Sequence, residues 1–351
     1  MNAKRKSSPP RTARESGVKD NDCCQAADVV GLGTCTVNYE ALVPKLGWQM
    51  PKVLSQGFEV APGGATALSL IQLARLGVST AWLGILGDDV ESDMILETFE
   101  DEGISTTCIE KREGQRSPFS WVAVTPKGDR GTIVFPNVLN YLTPEKVGAA
   151  MVGCIDSSLH FHTDVASVPL HTTLQAIEVA RAADCFILTD IDTEPTYLVE
   201  EAGLGRHKEL EAILKKSDVV KSCLAAATAL TGAGTPDEAC RILHTTYESR
   251  YTVVTAGREG SFLMYNGEGW EIPALGPKAV DPTGAGGAYF GGLSYALLRG
   301  LTGEQAGYFA AACAAYTCSR VGSLALGTLE EIDVILNGTL EVAGAEDDGG
   351  E

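Results

Sequence analysis

Short apolar segments alternate with helix-length amphipathic ones along most of this chain, and no other feature constrains the fold as much. Residues 27–32 read as a strand that runs into Gly31 and Gly33, 66–76 as a helix, 80–84 as a strand, and 89–102 as a helix that stops before Gly103. From residue 158 the pattern resumes: strands at 158–161, 185–189, 219–220 and 251–255, with helices at 173–182, 208–216, 225–230 and 236–245. Such alternation builds right-handed βαβ units, hence a mostly parallel sheet covered by helices on both faces. Ligands in such a sheet bind beyond the carboxyl ends of its strands. One stretch breaks the pattern. Residues 119–125 and 131–135 alternate with period two around a Pro126–Asp129 turn, and read as a hairpin.

The 351 residues are enough for one large α/β domain or two smaller ones. No apolar run approaches the roughly 20 residues of a membrane span. A net charge of −19 argues against a nucleic-acid backbone or an anionic membrane as partner. It does not argue against a nucleotide, for which one local anion site suffices. Residues 1–27 carry Lys4, Arg5, Lys6, Arg11 and Arg14 without the apolar segment of a signal peptide, and read as a disordered tail on a cytoplasmic protein. Residues 337–351 read as an acidic flexible tail. The ten cysteines show no zinc-type spacing and read as reduced thiols.

Chemistry concentrates in the run from Asp281 to Gly292. Gly284, Ala285 and Gly286 are small enough for their backbone N–H groups to converge on one point. A helix over about 288–299 adds its positive end, and together they make an anion hole. An enzyme that phosphorylates an alcohol uses such a hole to stabilise the transferring phosphoryl group, and it also needs a base beside the loop. The next residue is Gly287, which has no side chain to serve. The competing reading is a glycine-rich turn that packs a helix closely.

This run resembles the C-terminal signature of the ribokinase family, the PfkB-type carbohydrate kinases, usually written D-[TP]-x-G-A-G-D-x-F. The resemblance extends from about residue 28 to about residue 336. Pro62-Gly63-Gly64-Ala65 followed by Leu73-Ala74-Arg75-Leu76-Gly77 is similar to the family's N-terminal glycine motif. Gly84–Asp89 resembles its next turn, Gly128-Asp129-Arg130 its lid-strand G-E-R, and Thr255–Gly260 the T-x-G-x-x-G of its nucleotide site. The resemblance implies a ribokinase-like α/β fold with a small β lid from about 34–60 and 117–136. It implies ATP held by Thr255, Gly257, Gly260, Asp281 and Thr283, with residues 310–320 walling the adenine. The substrate positions it implies are Asn38, Gly63, Gly64 and Leu68. Family lids also form dimers, which makes the lid a candidate homodimer surface.

The departures are as informative as the matches. Gly287 occupies the position of the family's catalytic aspartate. The family's magnesium motif, N-x-x-E, falls on Cys223 and Ala226, neither of them a hard oxygen ligand, so Mg2+ is implied by the family but poorly served here. Leu68 replaces an asparagine and accepts no hydroxyl hydrogen bond. The family's D-x-N-x-R turn appears as Asp190-Ile191-Asp192-Thr193-Glu194, with acid for arginine. These changes favour a less hydroxylated, cationic or amide-bearing small ligand. His160 and His162 share one face of a strand near Asp164, and read as paired polar residues at the carboxyl edge of the sheet; no metal ligand set is assigned. As substitutes for the lost base, Asp281, Asp88, Asp164, Asp192 and water stand without a favourite.

Two functions remain. The first is a carbohydrate-kinase-like protein, in effect a pseudokinase, that binds adenine nucleotide and a small ligand with weak or absent phosphoryl transfer. The second is an active ATP-dependent kinase of a sugar, nucleoside or related alcohol, using a non-standard base.

Overall fold

The computed structural model of the chain describes residues 27–46, 52–126, 130–151, 154–156 and 158–346. The expected basic tail with Cys23 and Cys24, the Gly128-Asp129 pair of the lid turn, and the last five residues lie outside the described ones. In chain order the strands are β1 (Val29–Leu32), β2 (Thr36–Leu42), β3 (Gly57–Gly63), β4 (Thr80–Leu86), β5 (Ile109–Lys111), β6 (Phe119–Val124), β7 (Arg130–Phe135), β8 (His160–Asp164), β9 (Phe186–Ile191), β10 (Val219–Cys223), β11 (Tyr251–Thr255), β12 (Ser261–Tyr265) and β13 (Glu268–Ile272). The helices are α1 (Ala65–Arg75), α2 (Val90–Asp101), α3 (Pro144–Met151), α4 (Leu170–Ala182), α5 (His207–Lys216), α6 (Leu224–Thr231), α7 (Pro236–Tyr247), α8 (Ala285–Leu298), α9 (Glu304–Cys318) and α10 (Leu329–Glu346).

Nine strands form one sheet in the order β13-β12-β11-β10-β9-β8-β1-β4-β5. From β11 to β5 every pairing is parallel; β12 and β13 add an antiparallel edge. Two apolar layers cover its faces. One gathers α1, α8 and α9 through Leu70, Phe290, Leu293 and Phe309; the other gathers α3, α4, α5 and α7 through Met151, Ile177, Ile213 and Leu243. The central strands are buried on both sides, which is why they read as continuous apolar runs.

A second sheet, β3-β2-β6-β7, is formed by the segments expected to make the lid. Its β2–β6 pair is parallel and its outer pairs antiparallel. One face carries a chain of aromatic contacts from Phe58 through Tyr39 and Phe119 to Phe135 and Trp121.

Four sequence expectations shift. Helix α8 starts at Ala285 rather than near 288, so Ala285, Gly286 and Gly287 form its first turn. Strand β8 runs on to Asp164, and β10 to Cys223, which brings polar residues to the carboxyl edge. Cys108 and Cys154 form a disulfide, against the reading that all thiols are reduced. Their 46-residue separation gives no sequence signal; the fold brings the chain after α3 beside the β4–β5 edge. Helix α10 continues to Glu346, beyond residue 336 where an acidic tail is expected to begin.

Candidate functional site

The site lies where the fold rule places it, at the carboxyl ends of the central strands. Asp164 ends β8 and is fully buried. It accepts hydrogen bonds from Thr34 N (2.7 Å), Thr34 Oγ1 (2.7 Å), Thr66 Oγ1 (2.6 Å) and Ala166 N (3.1 Å). These tie the β1–β2 connection to the first turn of α1. A carboxylate so occupied is a structural clamp rather than a free base. Asp88 is engaged too, with Oδ2 accepting from Gly114 N at 3.0 Å.

The loop expected to form an anion hole is held by specific contacts. Gly284 caps α8 at φ 86°, and a Cβ there would stand 2.6 Å from the Ser323 carbonyl. Only glycine meets both demands. Asp281 braces the loop through both oxygens: Oδ1 accepts from Thr283 N (2.9 Å) and Oδ2 from Gly322 N (3.0 Å). That removes Asp281 from the substitute bases and joins the loop to the chain after α9. Gly286 is exposed, so the first turn of α8 opens outward.

The Thr255–Gly260 turn follows β11. Thr255 Oγ1 donates to Ser222 O at 3.3 Å. Gly257 and Gly260 both have positive φ, and a Cβ on Gly260 would lie 2.1 Å from the Ile272 carbonyl.

Among the expected substrate positions, the Nδ2 of Asn38 would lie 2.4 Å from a Cβ on Gly63, so Asn38 from β2 reaches across the glycine that leads into α1. Gly64 caps α1 at φ 109°. Leu68 is buried one turn further on, and it meets Gly287: a Cβ on Gly287 would stand 2.7 Å from the Leu68 Cβ. One turn along α8, a Cβ on Gly291 would lie 2.6 Å from Ser69 O. The two glycines form the track on which α1 lies against α8, as in the close-packing reading of the glycine run. A side chain at position 287 would start against the Cβ of Leu68 and 3.3 Å from Ala65 O.

At the magnesium-motif positions, Cys223 is the N-cap of α6, its Sγ accepting from Ala226 N at 3.5 Å and donating to Asp192 O at 3.4 Å. Ala226 is fully buried. A weakly capping thiol and a methyl group do not fit a magnesium shell. Among the described residues no group of three or more His, Cys, Asp or Glu side chains is arranged to hold a metal ion. Asp192 sits exposed at the rim; the surrounding protein, and then Asp164, hold its carboxyl above the ordinary range, while the Lys221 ammonium and a hydrogen bond from Thr193 oppose the rise.

One pairing of consequence escaped sequence reasoning. Lys221 Nζ donates to both Asp190 oxygens at 2.8 Å, with both side chains almost fully buried. Burial pushes the Asp190 carboxyl up to about 7, and the Lys221 ammonium opposes that rise. A lysine inside the apolar strand Val219–Cys223 is the signal that marks the pair, because lysine is almost never buried unless partnered.

His160 and His162 do not lie at the carboxyl edge as a pair: His160 opens β8. His160 Nδ1 and His162 Nε2 each lie 2.8 Å from Ser294 Oγ, and His162 Nδ1 lies 3.1 Å from Ser69 Oγ. Burial pushes His160 down to about 3 and His162 well below its usual value, so both are neutral links between β8 and the helices above it.

A family profile described as pfkB family carbohydrate kinase matches residues 26–328. The chain is 28% identical over 300 residues to a fructokinase of Solanum tuberosum, covering 80% of this chain and 88% of that one. It is 27% identical over 298 residues to fructokinase-2 of Solanum lycopersicum, covering 80% and 89%. The ribokinase of Thermotoga maritima superposes with a TM-score of 0.72 at 21% identity, covering 89% of this chain and 99% of that one. The Arabidopsis thaliana ribokinase solved with ribose and ATP gives 0.73 at 17% identity, covering 89% and 99%. A profile match over most of the chain, on the ribokinase-like fold described above, establishes that this protein belongs to the pfkB family of carbohydrate kinases.

Proposed function

We propose that this family member binds an adenine nucleotide and a small ligand, with weak or absent phosphoryl transfer. The observation that carries the reading is the contact between Gly287 and Leu68. The position of the family's base has no side chain, and the α1–α8 packing has closed over it. A general base is worth about 10²–10⁴-fold in rate. Loss of the two magnesium-motif side chains, at Cys223 and Ala226, compounds that.

Nucleotide retention is supported by the glycines that remain. Thr255, Gly257 and Gly260 keep a turn that backbone can bring to phosphates, and Asp281 with Thr283 keeps the anion loop braced. Leu68 beside Gly63, Gly64 and Asn38 favours a ligand with few hydroxyls. The aromatic face of the lid, with Phe58 and Trp121 exposed at 68% and 55%, is proposed as the seat of a second copy of the chain. Sedimentation of the wild type against Trp121→Arg tests that, the variant shifting toward monomer.

A second reading, an active ATP-dependent kinase of an alcohol with a non-standard base, draws on the named fructokinase relatives and on the water-accessible Asp192. ADP release measured over a panel of sugars and nucleosides separates the two. Rates at background support the first reading, and turnover on any acceptor supports the second.

A further inference from the structure

The chain enters the β6–β7 hairpin of the small sheet from β5 and leaves it towards α3, and these two arms run side by side. Contacts between them form a ladder. Asn137 Nδ2 donates to Ser117 O at 2.7 Å, and Val138 N to Arg116 O at 3.3 Å. The Arg112 guanidinium lies 4.1 Å from the centre of the Tyr141 ring, and Lys146 Nζ pairs with Glu110 at 2.5 Å. The last rung, at the root, is the Cys108–Cys154 disulfide. One partner moves back along the chain as the other moves forward, so the arms make an antiparallel stem closed at its base by a covalent bond.

The neighbouring rungs are weak. Glu110 and Lys146 are each more than a third exposed, and such ion pairs contribute little. Strand β5 holds the sheet edge through three residue pairs. The bond is also within reach of solvent. Cys108 is half-buried, and with Cys154, Gly84, Thr107, Glu110 and Lys146 it lines a cavity of about 290 Å³. What the stem carries bears on the site. Strand β6 pairs with β2, whose Asn38 reaches across Gly63. Strand β2 pairs with β3, whose Glu59 Oε1 would lie 2.6 Å from a Cβ on Gly322, and Gly322 N is held by Asp281.

We propose that Cys108–Cys154 is a reducible clasp: closed, it holds the small sheet against the Gly63 and Gly322 segments, and reduction by a dithiol loosens that sheet.

The loop it closes, with a sequence separation of 46, contains the whole hairpin, so the bond removes conformational freedom from that segment above all. The step is thiol–disulfide exchange. A thiolate of the dithiol attacks Cys108 Sγ, the S–S bond breaks, and its electron pair leaves on Cys154 Sγ. The second thiol of the dithiol then displaces Cys108 and closes its own disulfide. Each cysteine takes up a proton; the protein bond gains two electrons and the dithiol loses two. That this motion controls ligand access rests on the binding function proposed above; the clasp itself does not.

Hydrogen–deuterium exchange of the ligand-free full chain, before and after dithiothreitol, tests the proposal, with alkylation and mass spectrometry reporting which cysteines are reduced. Cys108 and Cys154 should become alkylatable without denaturant. Exchange should quicken on the order of tenfold or more in β2, β3, β6 and β7, and stay unchanged in β8–β11. Cys108→Ser with Cys154→Ser should show the fast pattern with or without dithiothreitol, which assigns the effect to this bond; the reduced wild type carries the test on its own if that variant does not fold.

A bond that dithiothreitol leaves intact in the native protein overturns the proposal. So does quickened exchange confined to β5 and α3, which makes the bond a local staple, or spread evenly over the chain, which makes it a global one. A folded double variant that exchanges like the oxidised wild type overturns it too. No ligand is present in these measurements, so failure of the nucleotide reading leaves their outcome unchanged.

Discussion

Gly287 and Leu68 form one contact: a Cβ added to the glycine would stand 2.7 Å from the leucine's own Cβ. The atom met is the Cβ of Leu68, with Ala65 O next at 3.3 Å, so the close approach of α1 to α8 crowds the side on which the missing carboxylate would project. Gly287→Asp alone should destabilise the protein by roughly 2–4 kcal/mol, through overpacking and an unpaired buried carboxylate. Adding Leu68→Gly, which removes the Cβ it meets, should recover part of that overpacking, because contacting residues couple. Urea unfolding of the two single variants and the double gives the coupling; strictly additive effects would contradict the contact.

Gly284 and Gly286 should respond in opposite directions. Gly284→Val combines a positive φ with a carbonyl at 2.6 Å and should lower the melting temperature sharply. Gly286 has no such φ, and its new methyl would meet only Lys221 Nζ at 3.5 Å. Gly286→Ala should therefore leave stability unchanged or raise it by up to about 1 kcal/mol through helix propensity, while weakening ATP binding. A melting curve and a binding isotherm on each variant check this, and equal loss of stability in both would contradict it.

Cys223 caps α6 with a sulfur atom 3.5 Å from the Ala226 amide. Asparagine is a far better cap, so Cys223→Asn should stabilise the protein by about 0.5–1 kcal/mol without restoring activity. Chemical denaturation reads the first effect and the ADP assay the second.

The buried His160 gives a pH dependence with a definite sign. Its pKa is depressed to about 3, against about 6.5 unfolded, so its contribution is present above pH 6.5 and is lost as pH falls toward 3. His160→Asn keeps a polar partner for Ser294 and removes the titration. The stability gap between wild type and variant should shrink by up to about 1.4 kcal/mol per pH unit below 6.5. Denaturant unfolding at pH 7.5, 6 and 5 measures it; a constant gap contradicts neutral burial.

Much of this was legible in the chain itself. The strand–helix alternation encodes the parallel sheet because each buried strand must be apolar on both faces, and the glycine runs at 63–64 and 284–286 mark the loops. What periodicity cannot show is where side chains meet across the sheet. Leu68 and Gly287 lie on helices more than 200 residues apart in sequence, and their contact emerges only when α1 lies on α8. The Lys221–Asp190 pair joins neighbouring strands whose register the sequence does not print. The Cys108–Cys154 link and the placement of His160 at the start of β8 depend on the same long-range geometry.

The central claim is that phosphoryl transfer has been lost at a base position now closed by packing. The most direct measurement is the initial rate of ADP release with saturating ATP, Mg2+ and a sugar and nucleoside panel, for the wild type, Gly287→Asp, and the combination Gly287→Asp, Leu68→Asn, Cys223→Asn, Ala226→Glu. The account predicts background rates for the first two. For the combination it predicts ATP hydrolysis before transfer to any sugar, since water reaches the γ-phosphate without the lost hydroxyl contacts. Wild-type turnover near 1 s⁻¹ or above, within the ordinary enzyme range, would contradict it. So would a wild-type rate that Gly287→Asp lowers, because glycine would then be an adaptation to different chemistry.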